Sequence, residues 1–108
     1  MSTTTVALKD QAEKNKYVNR LKGTPKVTQL NGIANQLLIH YSNATVFQSY
    51  NSIIAIQYKD NGKVILGKDY NYSKTTSKYL NLFLGLSSSI EVKKNIESGL
   101  YTIDETLV

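Results

Sequence analysis

The sequence predicts an α+β domain: a small antiparallel sheet of four to five strands packed with two C-terminal helices, plus an N-terminal helix. Three observations carry this. Ile53, Ile54, Ala55 and Ile56 are apolar at both parities, the pattern of a strand covered on both faces. Asp60-Asn61-Gly62-Lys63 supplies a two-residue hairpin turn in which both central residues need positive φ, so Val64 to Gly67 pairs back on that strand. Tyr79, Leu80, Phe83 and Leu84 recur at the spacing of one helical face.

Taken in order, Ser2 to Thr5 read as a loose tail ending in an N-cap residue, Thr5. Helix follows from Val6 to about Leu21, with Leu8, Ala12, Val18 and Leu21 as an apolar stripe, and Gly23 and Pro25 ending it. Lys26 to Tyr41 fits either a hairpin or a strand after a loop, since Asn31-Gly32 interrupts it; the alternation of Leu37, Ile39 and Tyr41 with Leu38 and His40 favours a strand at its end. Ser42-Asn43 is a turn signal. Ser49-Tyr50-Asn51-Ser52 breaks the next apolar run as a bend, a bulge or a short turn between two strands. Ser73 is the N-cap of the first C-terminal helix and Gly85 its C′ residue. Ser88 and Glu91 read as a capping box for the second, whose inner face carries Val92 and Ile96 and whose end is Gly99. Leu100 to Ile103 is a short edge strand, and residues 104–108 a loose tail like residues 1–5. With no repeat and no internal boundary, residues 1–108 form a single domain.

Composition narrows the function. At 108 residues the chain is the size of one small domain with one core. Thirteen basic against eight acidic residues give +5, and the excess sits at the amino end: residues 1–35 carry six basic and two acidic side chains, residues 74–108 four of each. Such a field attracts polyanions or an acidic partner. The absence of cysteine excludes disulfides and thiolate metal sites. One histidine, His40, excludes a multi-histidine metal site, and nothing marks any serine as a nucleophile. Asp69 to Ser73 imitates the opening of a calcium loop but has Lys74 where the loop needs glycine and Leu80 where it needs the bidentate glutamate. No catalytic residue, metal or cofactor is therefore expected, and the chain is not read as an enzyme. No apolar run approaches the ~20 residues that span a bilayer, and the first residues lack the pattern of a secretory signal, so no membrane partner is expected.

The candidate binding groups fall in two places. Lys9, Lys16 and Arg20 share one face of the N-terminal helix, a basic face for phosphate unless it is simply solvated. The larger group runs from Lys68 to Lys78, where a strand passes into a helix: Lys68, Tyr70, Tyr72, Lys74, Thr75, Thr76 and Lys78 place ammonium groups, rings and hydroxyls beside the free amides and positive dipole end of a helix start. That grouping suits an anion, with tyrosine rings able to stack on bases. The ordinary alternative is that the tyrosines fill gaps between sheet and helix and the hydroxyls cap the first turn.

Ser49-Tyr50-Asn51-Ser52 with Ile53 to Ile56, then Gly62, then the segment Tyr70-Asn71-Tyr72-Ser73-Lys74-Thr75-Thr76-Ser77-Lys78-Tyr79, then Phe83-Leu84, resembles a family of small tailed-phage proteins with no assigned activity. That family's pattern is a Ser-Tyr-x-Ser/Thr strand followed by an aromatic-x-Tyr-Ser-x-Thr-Thr-Ser-Lys segment. Tyr70 stands where the pattern has tryptophan, and the first third of the chain is not covered. The resemblance implies a phage or prophage origin and the host cytoplasm, and adds Tyr50 to the candidate site. The expected function is a non-enzymatic accessory protein that binds and inhibits a host protein or ribonucleoprotein complex, such as a CRISPR effector. A basic protein binding DNA or RNA directly is the alternative, and a homo-oligomer built through the apolar carboxyl end Leu107-Val108 and any exposed strand edge is a third.

Overall fold

The computed structural model describes residues 21–107. The predicted N-terminal helix, with Lys9, Lys16 and Arg20, lies outside the described residues. Among the described residues six strands form one sheet in chain order: β1 (Lys26–Gln29), β2 (Gln36–His40), β3 (Ala44–Ser49), β4 (Ser52–Tyr58), β5 (Val64–Leu66) and β6 (Tyr101–Ile103). Helices α1 (Lys74–Leu84) and α2 (Ser89–Glu97) connect β5 to β6. The α+β class stands, but the sheet has six strands and is mixed, because β5 and β6 run parallel. The reason is the connection: a hairpin returns the chain reversed, whereas a two-helix crossover brings it back in the same direction.

The open stretch from Lys26 to Tyr41 resolves as a hairpin. β1 pairs antiparallel with β2, and Leu30–Gly32 makes one 3-10 turn between them. At the next reversal Ser49 pairs with Ser52, so Tyr50 and Asn51 form a two-residue turn. A register shift follows between Phe47 and Gln48. Opposite that bulge the consecutive residues Ile54 and Ala55 both join the helix-side core, while Ile53 and Ile56 join the core on the other face. β4 is thus covered on both faces, as its apolar run predicts. The Asn61-Gly62 turn differs from expectation. Gly62 takes a positive φ of 69° but Asn61 does not. Lys59 to Gly62 instead make a four-residue loop, in which the Tyr58 N–H donates to the Lys63 carbonyl and the Asn61 side chain accepts from the Lys63 N–H.

On the helix side, Phe47, Ile54, Ala55, Val64, Leu66 and Tyr101 meet Leu80 of α1 and Val92 of α2. The rings of Phe47 and Phe83 stack at 5.5 Å. Each such buried side chain contributes about 1.5–3 kcal/mol. The ends of α1 form as its sequence predicts. Ser73 Oγ accepts from the Thr76 N–H at 3.1 Å. Gly85, at φ 72°, donates to Leu82 while Leu86 donates to Asn81, a Schellman ending. The capping box of α2 does not form. The Ser88 side chain makes no cap bond, and the Ser87 hydroxyl takes the Glu91 carboxylate that would have reached back.

The other face of the sheet buries Ile39, Val46, Ile53, Ile56 and Ile65 together with Leu107, and Leu21, Tyr41 and Tyr58 pack against them. The predicted loose C-terminal tail is therefore corrected over residues 104–107. The Asp104 N–H donates to the Leu66 carbonyl, the Lys68 N–H donates to the Leu107 carbonyl, and Leu107 is fully buried. Leu107 and Val108 follow only three polar residues, Asp104-Glu105-Thr106, a stretch too short for any periodicity to mark Leu107 as core. Among the described residues no helix is long and apolar enough to cross a membrane.

Candidate functional site

The helix start and the tip of the β3–β4 hairpin meet at one end of the sheet. β2 enters there at Gln36, which pairs with Ser49, and Ser49 closes the hairpin with Ser52. Side chains alternate along a strand, so Gln36, Ser49 and Ser52 share the face that also carries Leu38, Phe47 and Ile54, the face on which α1 lies. Between them and the first turn of α1 opens a cleft of about 540 Å³, lined also by Tyr50, Asp69, Tyr72, Ser73, Thr75 and Thr76. That volume lies within the range of ligand sites. Ser49, Tyr50 and Ser52 of the hairpin thus meet Tyr72, Ser73, Thr75 and Thr76 of the helix start here.

Tyr50 sits at the hairpin tip with φ 53°, in the left-handed region that bulky residues avoid. Two bonds hold it there. Its N–H donates to the Asn35 carbonyl at 2.8 Å, and its carbonyl accepts from Nε2 of the buried Gln48 at 2.7 Å. The backbone is over-determined while the ring is left out: Tyr50 is 64% exposed, and Tyr72 is 80% exposed. Strain of this kind costs of order 1–3 kcal/mol and clusters at functional sites. On the α1 side, Ser73 Oγ caps Thr76 and lies 3.1 Å from the Thr76 hydroxyl. The Ser77 N–H already bonds the Ser73 carbonyl. The amides of Lys74 and Thr75 remain outside the intrahelical ladder, at the positive end of the helix dipole. At the sheet side, Gln36 is 2% exposed and its Oε1 accepts no hydrogen bond.

Ser73 also borders a second, shallower groove of about 630 Å³ along the outer side of α1, lined by Lys74, Ser77, Lys78, Asn81 and Ser89. Lys74 and Lys78, four residues apart, share this helical face. The Lys78 ammonium also sits 5.8 Å from the centre of the Tyr79 ring. This groove carries the two lysines, and the tyrosine cleft is its neighbour.

The structure therefore divides the site predicted as one cluster. Tyr50, Tyr72 and Thr75 line the cleft, and Lys74 and Lys78 line the groove. Thr76 lines the cleft too, but it is buried and its hydroxyl serves the cap. Tyr70 leaves the proposed surface. It is half-buried against the helix-side core, beside a hollow of about 350 Å³ shared with Leu80, Val92 and Ile96, so the ordinary gap-filling role applies to it. Lys68 is exposed and lines neither cleft nor groove. Six residues that line the cleft were not among the candidate site residues. Ser49, Ser52, Ile54, Asp69 and Ser73 lie beside or among residues that were singled out. Gln36 begins a strand with no signal of its own; it is found only when β2 pairs with β3. His40, also set aside, hydrogen-bonds Thr28 Oγ1 at 2.8 Å across the β1–β2 pair.

Among known proteins, a model of a family of unknown function, DUF8033, matches residues 10–99. No curated protein and no solved structure matches the chain.

Proposed function

The chain belongs to the DUF8033 family of unknown function, and from that premise we propose that it works by binding, with no catalysis of its own. It is a small phage or prophage accessory protein that engages a host defence complex in the host cytoplasm, a ribonucleoprotein of the CRISPR-effector kind, and inhibits it. One observation carries the reading: two tyrosine rings, Tyr50 and Tyr72, stand exposed on the rim of a single cleft, and one of them is held there at a cost in backbone strain. Tyrosine is enriched where interfaces concentrate their affinity, because a large, nearly rigid ring buries much area for little lost entropy. The phage-family pattern supports the choice of partner.

The test is retention of purified CRISPR effectors and other host defence ribonucleoproteins on the immobilised protein, wild type against Tyr50→Ala/Tyr72→Ala. The wild type is expected to retain a complex and to block its target cleavage. The double variant is expected to lose about 2 kcal/mol or more, roughly 30-fold in Kd. A wild type that retains none of them, or a double variant that retains the complex equally well, refutes the reading. A second reading, direct binding of free DNA or RNA, is favoured by the lysine groove that adjoins the cleft at Ser73.

A further inference from the structure

We infer that the cleft holds the guanidinium of an arginine presented by a protein partner, with Asp69 as its counter-charge and Tyr50 and Tyr72 as its aromatic walls. The inference deepens the proposal above and rests on it: within a ribonucleoprotein it assigns the contact to the protein component and not to the nucleic acid.

Charge decides the sign of the ligand. Among the described residues that line the cleft, Asp69 alone is charged. It is half-buried, and its carboxylate makes no hydrogen bond and no ion pair within the chain. A carboxylate drawn partly out of water and left without a partner is a cost that a cation relieves. The lysines nearby do not serve it: Lys74 and Lys78 line the outer groove, and Lys68 lines neither cleft nor groove. The start of α1 acts the other way, since its dipole end amounts to about half a positive charge. The full charge of Asp69 exceeds it, and the Ser73 side chain already occupies the Thr76 amide. A phosphate entering the cleft meets a carboxylate and no cationic side chain, so the nucleic-acid backbone is the wrong ligand for it.

The rings decide which cation. The face of a tyrosine ring attracts a cation through its quadrupole, and both Tyr50 and Tyr72 are exposed where they line the cleft. The backbone that carries Tyr50 is already fixed by its bonds to Asn35 and Gln48, so little freedom is lost when the ring is engaged. A guanidinium suits this set better than an ammonium. It is planar, weakly hydrated, stacks on ring faces and presents a fork of N–H donors to a carboxylate. The N–H groups that Asp69 does not take meet the hydroxyls of Ser49, Ser52 and Thr75, which line the same cleft and are not bonded within the chain. Each of these atoms lies on an exposed or half-buried residue, within reach of a ligand.

The experiment is a titration of the isotope-labelled full chain with acetyl-Gly-Arg-Gly amide and its lysine and citrulline counterparts at millimolar peptide, read from backbone amide shifts by NMR. Citrulline keeps the planar shape of arginine and removes its charge. The arginine peptide is expected to shift the amides of residues 49–52 and 69–76 and to bind more tightly than the other two. Tyr72→Ala, at an exposed position, is expected to weaken it about 2- to 30-fold, and Tyr72→Phe to leave it unchanged, because the ring face and not the hydroxyl makes the contact. Asp69→Asn is expected to weaken it at least about 5-fold with the Tm of the free protein unchanged, since the carboxylate makes no bond within the chain. Inorganic phosphate is expected to leave the amides of residues 49–52 unmoved. A wild type that does not bind the arginine peptide, that binds its lysine or citrulline counterpart as tightly, or whose binding survives Asp69→Asn undiminished overturns the inference, and so does phosphate taking the cleft in its place. If a defence complex is retained on the immobilised protein and Asp69→Asn retains it equally well, the arginine inference falls and the binding function stands. If the arginine peptide binds as expected and no complex is retained, the ribonucleoprotein reading falls alone.

Discussion

Gly67 is where β5 leaves the sheet for the loop that carries Asp69 and Tyr72, and replacing it with alanine tests how tightly that loop is anchored. A Cβ placed on Gly67 would lie 2.5 Å from the Ile53 carbonyl oxygen and 2.7 Å from that of Leu107. Ordinary contact begins at 3.4 Å, so the shortfalls are 0.9 and 0.7 Å. Both obstacles are backbone, and they belong to different segments. The Gly67 N–H is meanwhile bonded to the Ile54 carbonyl at 2.8 Å, so the residue cannot back away without breaking a ladder bond. Overpacking a tight core costs typically 1–3 kcal/mol. Two backbone clashes place Gly67→Ala at or above the top of that range, about 3 kcal/mol, which for a domain of this size is roughly 12 °C in Tm. Urea unfolding of wild type, Gly67→Ala and Gly62→Ala is the assay. Gly62 has a positive φ but open space around it, so its alanine variant pays the left-handed penalty alone, about 1–2 kcal/mol. If Gly67→Ala loses less than about 0.5 kcal/mol, or less than Gly62→Ala, the two carbonyls yield freely and the anchoring argument is wrong.

Leu107→Ala is expected to destabilise by about 2–5 kcal/mol in the same assay, since it empties a buried site beneath β5; a neutral result would show that residues 104–107 do not dock. Ser73→Ala removes the bond to the Thr76 N–H and is expected to cost about 0.5–2 kcal/mol by thermal unfolding, with Ser73→Thr close to wild type; an unchanged Tm would mean that the cap contributes nothing. Burial raises the pKa of Tyr41 above its ordinary 10.0. The unfolded chain therefore loses the phenolic proton before the folded one does. The stability owed to the neutral ring is whole below pH 10 and declines as the pH climbs beyond it. Tyr41→Phe is expected to flatten the alkaline limb of a plot of stability against pH, and an unchanged limb would refute that assignment.

How much of this was legible before folding follows from the range of each interaction. Strand β4, the capped ends of α1 and the apolar face of α1 are local: parity, spacing and a Ser or Gly at the right position decide them within about a dozen residues, and the structure reproduces them. The parallel β5–β6 pair, the seat of Leu107 and the failure of the α2 capping box depend on groups that arrive from elsewhere in the chain or on a competing neighbour. The site divides along the same line. That Tyr72, Thr75, Lys74 and Lys78 gather at a helix start is written in consecutive residues. Which of them face together is not, because a helix rotates its neighbours by a hundred degrees per residue, sending the lysines to one groove and leaving Thr75 in the cleft. Tyr70 illustrates the limit: nothing in its local sequence distinguishes it from Tyr72, yet it is half-buried and Tyr72 is exposed. The sequence by itself determined the chemistry available, hydroxyls, rings and ammonium groups next to free amides. Only the tertiary structure brought Gln36 and Tyr50 to face them, since that juxtaposition depends on the pairing of β2 with β3 and on where α1 settles on the sheet.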